Sequence, residues 1–210
     1  MIYWSTANLA LRLLYPAWRW QVPSAEKKIY LSFDDGPHET ITDFVLDQLA
    51  MYKAKASFFC IGKNVRDNPE VYAKILKAGH AIGNHTMNHK NGWKTSNEAY
   101  FDDIAEAGKF IDSRLFRPPY GKLSRFQGKA LIDAGWEIVM WTVLSADFDY
   151  QKNPSECWEI VRKNVGPGSI ILFHDSEKAW PRMKEVLPRT LDYFSARGYT
   201  FEQLHMNSWA

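Results

Sequence analysis

Short apolar runs alternate with longer helical patterns along this 210-residue chain, and that alternation constrains the fold more than any other feature. The runs assigned to strands are residues 28–33, 56–61, 81–83, 114–117, 137–141, 169–173 and 200–203. A repeated strand–helix unit predicts parallel strands, because parallel strands need a crossover connection. We therefore predict a single α/β domain with about seven parallel strands, folded as a barrel or an irregular, incomplete barrel; an open doubly wound sheet is the alternative.

The helical patterns carry recognisable start signals. Thr40, Thr95 and Asn153 each precede an amphipathic segment and belong to residue types that favour the N-cap position. Thr95 is followed by Glu98, as in a capping box, and its helix is predicted to run through residue 112. Another helix is predicted at residues 181–196.

Residues 1–24 are apolar and aromatic, and we predict that they form an N-terminal extension packed on a main domain at residues 25–210. Arg12 and Arg19 interrupt the apolar run, so it predicts neither a cleaved signal peptide nor a transmembrane helix. Residues 7–15 fit a short amphipathic helix that either packs on the domain or makes weak contact with a membrane surface. Without a clear targeting signal, the sequence favours the cytoplasm or the cytoplasmic face of the membrane.

The charges are balanced, with 26 basic and 24 acidic residues and a formal net charge of +2. Since no run of like charge stands out, a nucleic-acid partner is not expected. Cys60 and Cys157 lie far apart in apolar or amphipathic surroundings, which favours small core residues over a disulfide. Nothing in the sequence indicates an oligomeric state.

Polar side chains follow five of the predicted strands at the point where each strand ends. They are Asp34 and Asp35, His85 and His89, Arg117, Asp147, and His174. The carboxyl ends of the strands in such a barrel meet at one rim, where functional groups collect. We therefore predict that these side chains form one site.

Two imidazoles near a carboxylate favour a catalytic metal site. His85 and His89 are four residues apart, so one helical turn would direct both rings the same way. With a carboxylate from Asp34 or Asp35 they would leave an open coordination position. Each feature also has a purely structural explanation. Paired histidines occur in proteins without binding a metal, and the sequence Asp-Gly-Pro favours a turn. Two adjacent acids after a buried strand favour the metal, because burying unpaired carboxylates is costly.

Four segments resemble, in order, motifs of the polysaccharide deacetylase family, also called the NodB homology domain or carbohydrate esterase family 4. They are FDDGP at residues 33–37, HTMNH at 85–89, RPPYG at 117–121 and LFH at 172–174. The resemblance extends over residues 28–203. It implies that residues 25–210 form a catalytic domain of this family on a distorted (β/α) barrel.

The resemblance implies a divalent metal, with Zn²⁺ favoured and Co²⁺, Ni²⁺ or Fe²⁺ also suited to the ligands. The implied metal ligands are Asp35, His85 and His89. Asp34 would be the general base acting on a metal-activated water, and His174 would be the general acid.

Further residues are assigned supporting roles by the same motifs. Arg117 would pair with Asp34 and keep it ionised. Asp147 would orient His174 and favour its charged form. Tyr120 would stabilise the developing oxyanion through its backbone N–H. Tyr120 and Leu172 are also predicted to contact substrate. Outside the motifs, His38 follows the first turn and is predicted to line the substrate groove, and Trp93 is predicted to form a groove wall, with simple packing as the alternative.

The chain departs from the family's fourth motif, W-x-x-D-x-x-D-W. Residues 141–148 keep the second acid as Asp147, but Leu144 replaces the first acid and Phe148 replaces the final tryptophan. Both replacements bear on the polar network behind the site, and therefore on rate and substrate fit. They leave the implied ligands, base and acid in place.

The implied function is metal-dependent removal of N-acetyl groups from N-acetylglucosamine-type sugars in a glycan or glycolipid. The first alternative is an amidase or deformylase acting on a small non-sugar or glycolipid substrate. The second alternative is a carbohydrate-binding protein that has lost catalysis, against which the intact motif residues argue.

Overall fold

The computed structural model describes Thr6 and residues 9–206. Within them, eight strands form one sheet. The strands are β1 (Lys28–Asp34), β2 (Ser57–Cys60), β3 (Ala81–Asn84), β4 (Leu115–Phe116), β5 (Glu137–Ile138), β6 (Val143–Leu144), β7 (Ile170–His174) and β8 (Thr200–Glu202). The helices are α1 (Leu9–Leu14), α2 (Ile41–Met51), α3 (Gly62–Asp67), α4 (Pro69–Lys77), α5 (Asn97–Ala107), α6 (Arg125–Asp133), α7 (Pro154–Asn164) and α8 (Trp180–Ser195), with a 3-10 turn at Pro119–Gly121.

The sheet follows the order β5-β4-β3-β2-β1-β7-β6, and β8 pairs with the start of β1. The ladders between these strands are parallel. β1 lies at the centre and is buried from its second residue onward, as expected of a parallel strand covered on both faces. This path of seven parallel strands with flanking helices is a distorted (β/α) barrel in one α/β domain, so the predicted fold class is confirmed.

Aromatic rings from the three central strands fill the core beneath one rim of the barrel. Phe33 stacks on Phe58 with ring centroids 5.1 Å apart and on Phe173 at 6.0 Å. Full burial of such a ring contributes roughly 1.5–3 kcal/mol relative to an exposed one. Because successive side chains alternate across a strand, the packing of Phe33 and Phe173 directs the next residues, Asp34 and His174, away from this core.

Part of the N-terminal segment lies along the sheet. Arg19 donates its N–H to the Ile138 carbonyl at 2.8 Å and accepts the Met140 N–H at 2.7 Å. Val22 donates to the Gly168 carbonyl at 2.9 Å, just before β7. Residues 1–5, 7 and 8 of the predicted extension lie outside the described residues. Among the helices that the structure describes, none is long and apolar enough to cross a membrane.

The start and end of α5 differ from the prediction. Ser96, not Thr95, caps this helix, because the Ser96 hydroxyl accepts the Ala99 N–H. The helix ends at Ala107 instead of residue 112. Both residues at the start are good N-cap types, so the sequence alone does not decide between neighbours.

Other local predictions have mixed outcomes. Asn153 forms the expected capping box at the start of α7. Thr40 precedes α2 but makes no side-chain capping hydrogen bond. Cys60 and Cys157 are buried free thiols, as predicted. The two-residue strand β6 was not predicted, since it is too short to show a periodic pattern.

Candidate active site

The turn after β1 carries both acids of the first motif. Asp34 is the buried last residue of the strand, and Asp35 adopts a positive φ of 82°. A non-glycine residue in this region is strained and must be held by its surroundings. Asn64 supplies part of that restraint by donating a side-chain hydrogen bond to the Asp35 carbonyl at 2.6 Å. The turn separates the two carboxylates, so that Asp34 contacts Arg117 while Asp35 faces two histidines.

The loop after β3 carries both histidines of the second motif. The predicted helical turn between His85 and His89 is wrong, because Thr86 and His89 have positive φ values of 64° and 55°. Asp103 on α5 holds the loop, accepting the Asn88 N–H at 2.9 Å and the Asn88 side-chain N–H at 2.7 Å. The loop nevertheless brings the two imidazoles together, with ring centroids 5.0 Å apart.

The side-chain ends of Asp35, His85 and His89 converge. Asp35 Oδ1 lies 3.3 Å from His89 Nε2 and 3.8 Å from His85 Nε2. The candidate ligand atoms all lie within 4.8 Å of one another. Asp35 Oδ1 is buried but has no hydrogen-bond partner among the residues described. Since an unpaired buried carboxylate oxygen is costly, this donor set fits a divalent cation.

The tautomer of His85 and the pKa shifts of His89 and Asp35 also suit a metal. His85 Nδ1 lies 2.7 Å from the Arg117 carbonyl oxygen, which can only accept, so Nδ1 carries the proton and leaves Nε2 free. Burial and the neighbouring His85 lower the pKa of His89 to about 4. Burial alone would raise the pKa of Asp35, but the surrounding imidazoles lower it overall. Neutral imidazoles beside an ionised carboxylate are the forms that bind metal.

Arg117 is fully buried and fixes Asp34. Its Nη1 lies 2.7 Å from Asp34 Oδ1 and 2.9 Å from Ser32 Oγ. The remaining guanidinium donors bond to the carbonyls of Val139 and Met140 at 3.0 and 2.8 Å. Because every one of these partners is buried or backbone, the guanidinium has a fixed position. The predicted contact between Arg117 and Asp34 is therefore present.

His174 and Asp147 form a second pair at the same rim. Asp147 accepts the His174 Nδ1–H at 2.8 Å and also the His174 backbone N–H at 2.8 Å. Burial alone would lower the pKa of His174, but the Asp147 carboxylate outweighs it and raises the pKa to about 9. This imidazole is therefore cationic at neutral pH, and Nε2 is the ring atom left to donate.

One of the two residues that depart from the fourth motif contacts this pair. Leu144 is buried and pairs in register with Leu172 on β7. The Phe148 ring meets His174 edge-on, with centroids 5.2 Å apart. Both positions that depart from the motif therefore carry apolar side chains. Leu172, predicted to contact substrate, is only 2% exposed.

The remaining predicted substrate contacts lie in different settings. Tyr120 is 55% exposed, adopts a φ of 60°, and its hydroxyl lies 3.1 Å from His89 Nδ1. Trp93 is 62% exposed. His38 Nδ1 accepts the backbone N–H groups of Thr40 and Ile41 at the start of α2, which is a capping role.

Asp175 is a site residue that sequence reasoning missed. Its buried carboxylate accepts the Gly36 N–H at 3.0 Å and the Thr42 hydroxyl at 2.6 Å. Burial raises the pKa of Asp175 to about 7. The available signal was its place directly after His174, at the end of a buried strand where an acid needs partners.

These features define a class of protein: a parallel (β/α) barrel with a candidate metal site and two ion pairs at the carboxyl ends of its strands. A family model described as polysaccharide deacetylase matches residues 21–139, more than half of the chain. The peptidoglycan-N-acetylglucosamine deacetylase of Bacillus cereus is 39% identical over 189 residues, which cover 87% of this chain and 88% of that protein. The chain belongs to the polysaccharide deacetylase family.

Solved structures agree with this assignment. The Bc1960 peptidoglycan N-acetylglucosamine deacetylase, in complex with 4-naphthalen-1-yl-N-oxidanyl-benzamide, matches with a TM-score of 0.83 at 29% identity, covering 90% of this chain and 91% of that chain. A mutant of BA3943, a family 4 carbohydrate esterase pseudoenzyme with restored enzymatic activity, matches with a TM-score of 0.80 at 26% identity. That match covers 92% of this chain and 72% of the other.

Proposed function

We propose that this protein is a metal-dependent deacetylase that hydrolyses the N-acetyl group of N-acetylglucosamine units in a glycan of the peptidoglycan type. The observation that carries the proposal is the convergence of a candidate metal site with two ion pairs suited to proton transfer. The activity named for the Bacillus cereus relative supports the choice of substrate.

The metal site would be formed by Asp35, His85 and His89. Two imidazoles and one carboxylate favour Zn²⁺, and Co²⁺, Ni²⁺ and Fe²⁺ also suit these ligands. A divalent metal held there would supply Lewis acidity, which polarises the amide carbonyl and eases the deprotonation of water. The unpaired Asp35 Oδ1 supports this assignment.

Asp34 would act as the general base. Its Oδ1 is occupied by Arg117 at 2.7 Å, while its Oδ2 lies 3.7 Å from His85 Nε2 and so faces the candidate metal site. Asp34 Oδ2 is therefore placed to take the proton of the attacking water.

His174 would act as the general acid. Its raised pKa keeps the ring protonated at neutral pH, and Asp147 fixes the ring through Nδ1. The Nε2–H can then pass its proton to the amide nitrogen as the carbon–nitrogen bond breaks. Base and acid thus come from adjacent strands, since Asp34 and His174 are register partners.

The Tyr120 backbone N–H would stabilise the negative charge that develops on the amide oxygen. Pro118 and Pro119 have no N–H, so Tyr120 carries the first backbone donor after Arg117. Its side chain contacts His89, which places this turn beside the candidate metal site. A backbone donor fixed in this way needs no reorganisation during the reaction.

Acetate release tests the proposal. Protein loaded with Zn²⁺ or Co²⁺ would be incubated with N-acetylglucosamine oligomers, and acetate would be measured beside an Asp34→Asn variant. Asp133→Asn, which changes an exposed acid of α6, is the matched control. We expect Asp34→Asn to keep the metal and lose more than about 100-fold in kcat, because general base catalysis typically contributes 10²–10⁴-fold.

The alternatives predict different outcomes. A small-amide hydrolase would bind the metal but leave the oligomers intact while cleaving simple acetamides or formamides. A carbohydrate-binding protein without catalysis would bind oligomers and release no acetate from any substrate. Acetate release that Asp34→Asn retains would exclude Asp34 as the base.

A further inference from the structure

A buried arginine of α8 contacts the loop that carries Asp147. Arg182 is only 9% exposed and lies in the first turn of the helix. Its Nε donates to the Asp147 main-chain carbonyl at 2.6 Å, and its Nη2 donates to the Lys178 carbonyl. Both partners are main-chain oxygens, so these contacts hold backbone and neutralise no carboxylate. Arg182 thereby joins the loop after β6 to the turn between β7 and α8.

The location of Arg182 is unfavourable for a cation by local rules. Burying a charged group costs free energy unless the charge is paired and hydrogen-bonded. The first turn of a helix also disfavours positive charge, because the helix dipole is positive at that end. A residue that breaks both preferences indicates a requirement elsewhere in the structure. The contact with Asp147 supplies such a requirement.

The loop after β6 runs outside regular secondary structure and needs restraint. Ala146 has a positive φ of 63°, a conformation that is strained for alanine and must be held by its surroundings. The Asp147 N–H makes a long hydrogen bond to the Ser145 hydroxyl, at 3.4 Å. The hydrogen bond from Arg182 to the Asp147 carbonyl is shorter and has a charged donor, which makes it the stronger of these two contacts.

The carboxylate of the same aspartate orients His174. Asp147 accepts the His174 Nδ1–H and the His174 backbone N–H, each at 2.8 Å. Only a short side chain separates this carboxylate from the carbonyl that Arg182 holds, so a shift of the Asp147 backbone would move the carboxylate with it. A series of hydrogen bonds therefore runs from α8 through Asp147 to the imidazole.

We infer that Arg182 is a positioning residue for the general acid, which fixes the Asp147 loop and thereby the direction of His174 Nε2. The inference rests on the proposed function and gives Arg182 no contact with substrate or metal. Displacing an acid lowers the rate without weakening binding, and a misplacement of about 1 Å can cost about 100-fold in rate. The competing explanation is that Arg182 only packs the start of α8 against the barrel.

Kinetics of the zinc-loaded protein on N-acetylglucosamine oligomers separates the two explanations. We expect kcat of Arg182→Gln to fall roughly ten-fold to hundred-fold with KM unchanged. Arg182→Lys keeps a charged donor for one carbonyl at a time, so its kcat should lie between those of Arg182→Gln and wild type. Met183→Ala, which removes a buried core side chain at the next position of α8, is the control. It should lower Tm and leave kcat intact.

A second measurement does not depend on turnover. The His174 Nδ1–H, held by Asp147, should give a proton NMR resonance downfield of the amide region, assigned by its absence in His174→Gln. We expect this resonance to broaden in Arg182→Gln, to shift in Arg182→Lys and to stay unchanged in Met183→Ala. If Arg182→Gln does not fold, Arg182→Lys decides by the same comparison with wild type.

Two outcomes would overturn the inference. One is a wild-type kcat or a wild-type resonance in the Arg182 variants. The other is an equal loss of kcat in Met183→Ala, which would assign the effect to loosening of α8. If wild-type protein released no acetate, the proposed function would fail separately, and the resonance alone would then decide whether Arg182 positions His174.

Discussion

The Thr42 hydroxyl lies 2.6 Å from the carboxylate of Asp175, which also accepts the Gly36 N–H at 3.0 Å. Gly36 follows Asp35 directly, so these contacts fasten the turn that carries the candidate metal ligand to the end of β7. The turn runs so close to this strand that a Cβ at Gly36 would overlap the Asp175 carboxylate. The position of Asp35 therefore depends on residues that touch no metal.

Replacing Thr42 with valine tests this dependence, because the change keeps the shape and removes the hydroxyl. A buried carboxylate that loses a partner costs about 1–3 kcal/mol. We expect part of this cost to appear as a roughly five-fold to ten-fold rise in the Kd for Zn²⁺. Competition with a chromophoric chelator measures it.

Thr190 provides the control for that experiment. It is equally buried, and its hydroxyl bonds to the Val186 carbonyl within α8. Thr190→Val should change stability but leave the Kd for Zn²⁺ unaltered. The same Kd shift in both variants would mean that the affinity for Zn²⁺ falls because the whole fold is destabilised, and not because the Asp175 contact is lost.

The pH dependence of kcat should follow the pair of His174 and Asp147. A general acid works in its protonated form, so activity falls as the pH rises through its pKa, which lies at about 9 for His174. In Asp147→Asn the charge that raises this pKa is gone while an oxygen acceptor is kept. The alkaline limb of the profile should therefore move down toward the ordinary histidine value of about 6.5.

The position of that limb is read from kcat at saturating glycan between pH 5 and 10, with metal content checked at each end. Asp149→Asn, two residues along the same loop and outside the pair, is the control. An unchanged alkaline limb in Asp147→Asn would show that another group supplies the proton.

Much of the rim could be predicted because polar residues follow five of the predicted strands and parallel strands align those ends. The contacts of Arg117 with Asp34 and of His174 with Asp147 could be predicted from the alignment of the strand ends together with the family's motifs. The helical turn expected at the second motif failed, since Thr86 takes a left-handed conformation that the spacing of the histidines does not reveal.

The supporting residues could not be predicted for a different reason. Asp175 meets Thr42 across 133 positions of sequence, and no local pattern marks such a contact. Asp103 likewise lies in the middle of α5, where an acid normally faces solvent, yet it is buried against the loop of Asn88. Such contacts follow from the packing of whole elements and carry no sequence signature of their own.

Removing either candidate histidine ligand should release the metal. His89→Gln keeps a polar side chain of similar size but loses the imidazole nitrogen. We expect less than one-tenth of the wild-type zinc by elemental analysis and no rise in Tm on adding Zn²⁺, since ligand binding to the folded state is what raises Tm. His205→Gln, at an exposed position outside the site, should retain the wild-type zinc content and the rise in Tm on adding Zn²⁺. Full zinc content in His89→Gln would refute the ligand set.

Ser32 should act on catalysis through Arg117. Its hydroxyl donates to the Ile171 carbonyl at 2.9 Å and accepts from Arg117 Nη1, the same atom that holds Asp34. Ser32→Ala leaves that guanidinium with one partner fewer, so the base should be held less firmly. We expect kcat to fall by roughly three-fold to ten-fold while KM changes little. The position of the Asp34 carboxylate affects the energy of the transition state and not the binding of substrate.

Ser57 supplies the matched control, since it is buried on the neighbouring strand and accepts the Leu204 N–H at 2.8 Å. Ser32→Ala and Ser57→Ala each remove a buried hydroxyl, and each should cost about 1–3 kcal/mol of folding free energy. Only Ser32→Ala should lower kcat when the two variants are compared at equal stability by denaturant titration. Equal losses of kcat in the two variants would show that Ser32 contributes only to core packing. A loss confined to Ser32→Ala would show that Ser32 positions the base through Arg117.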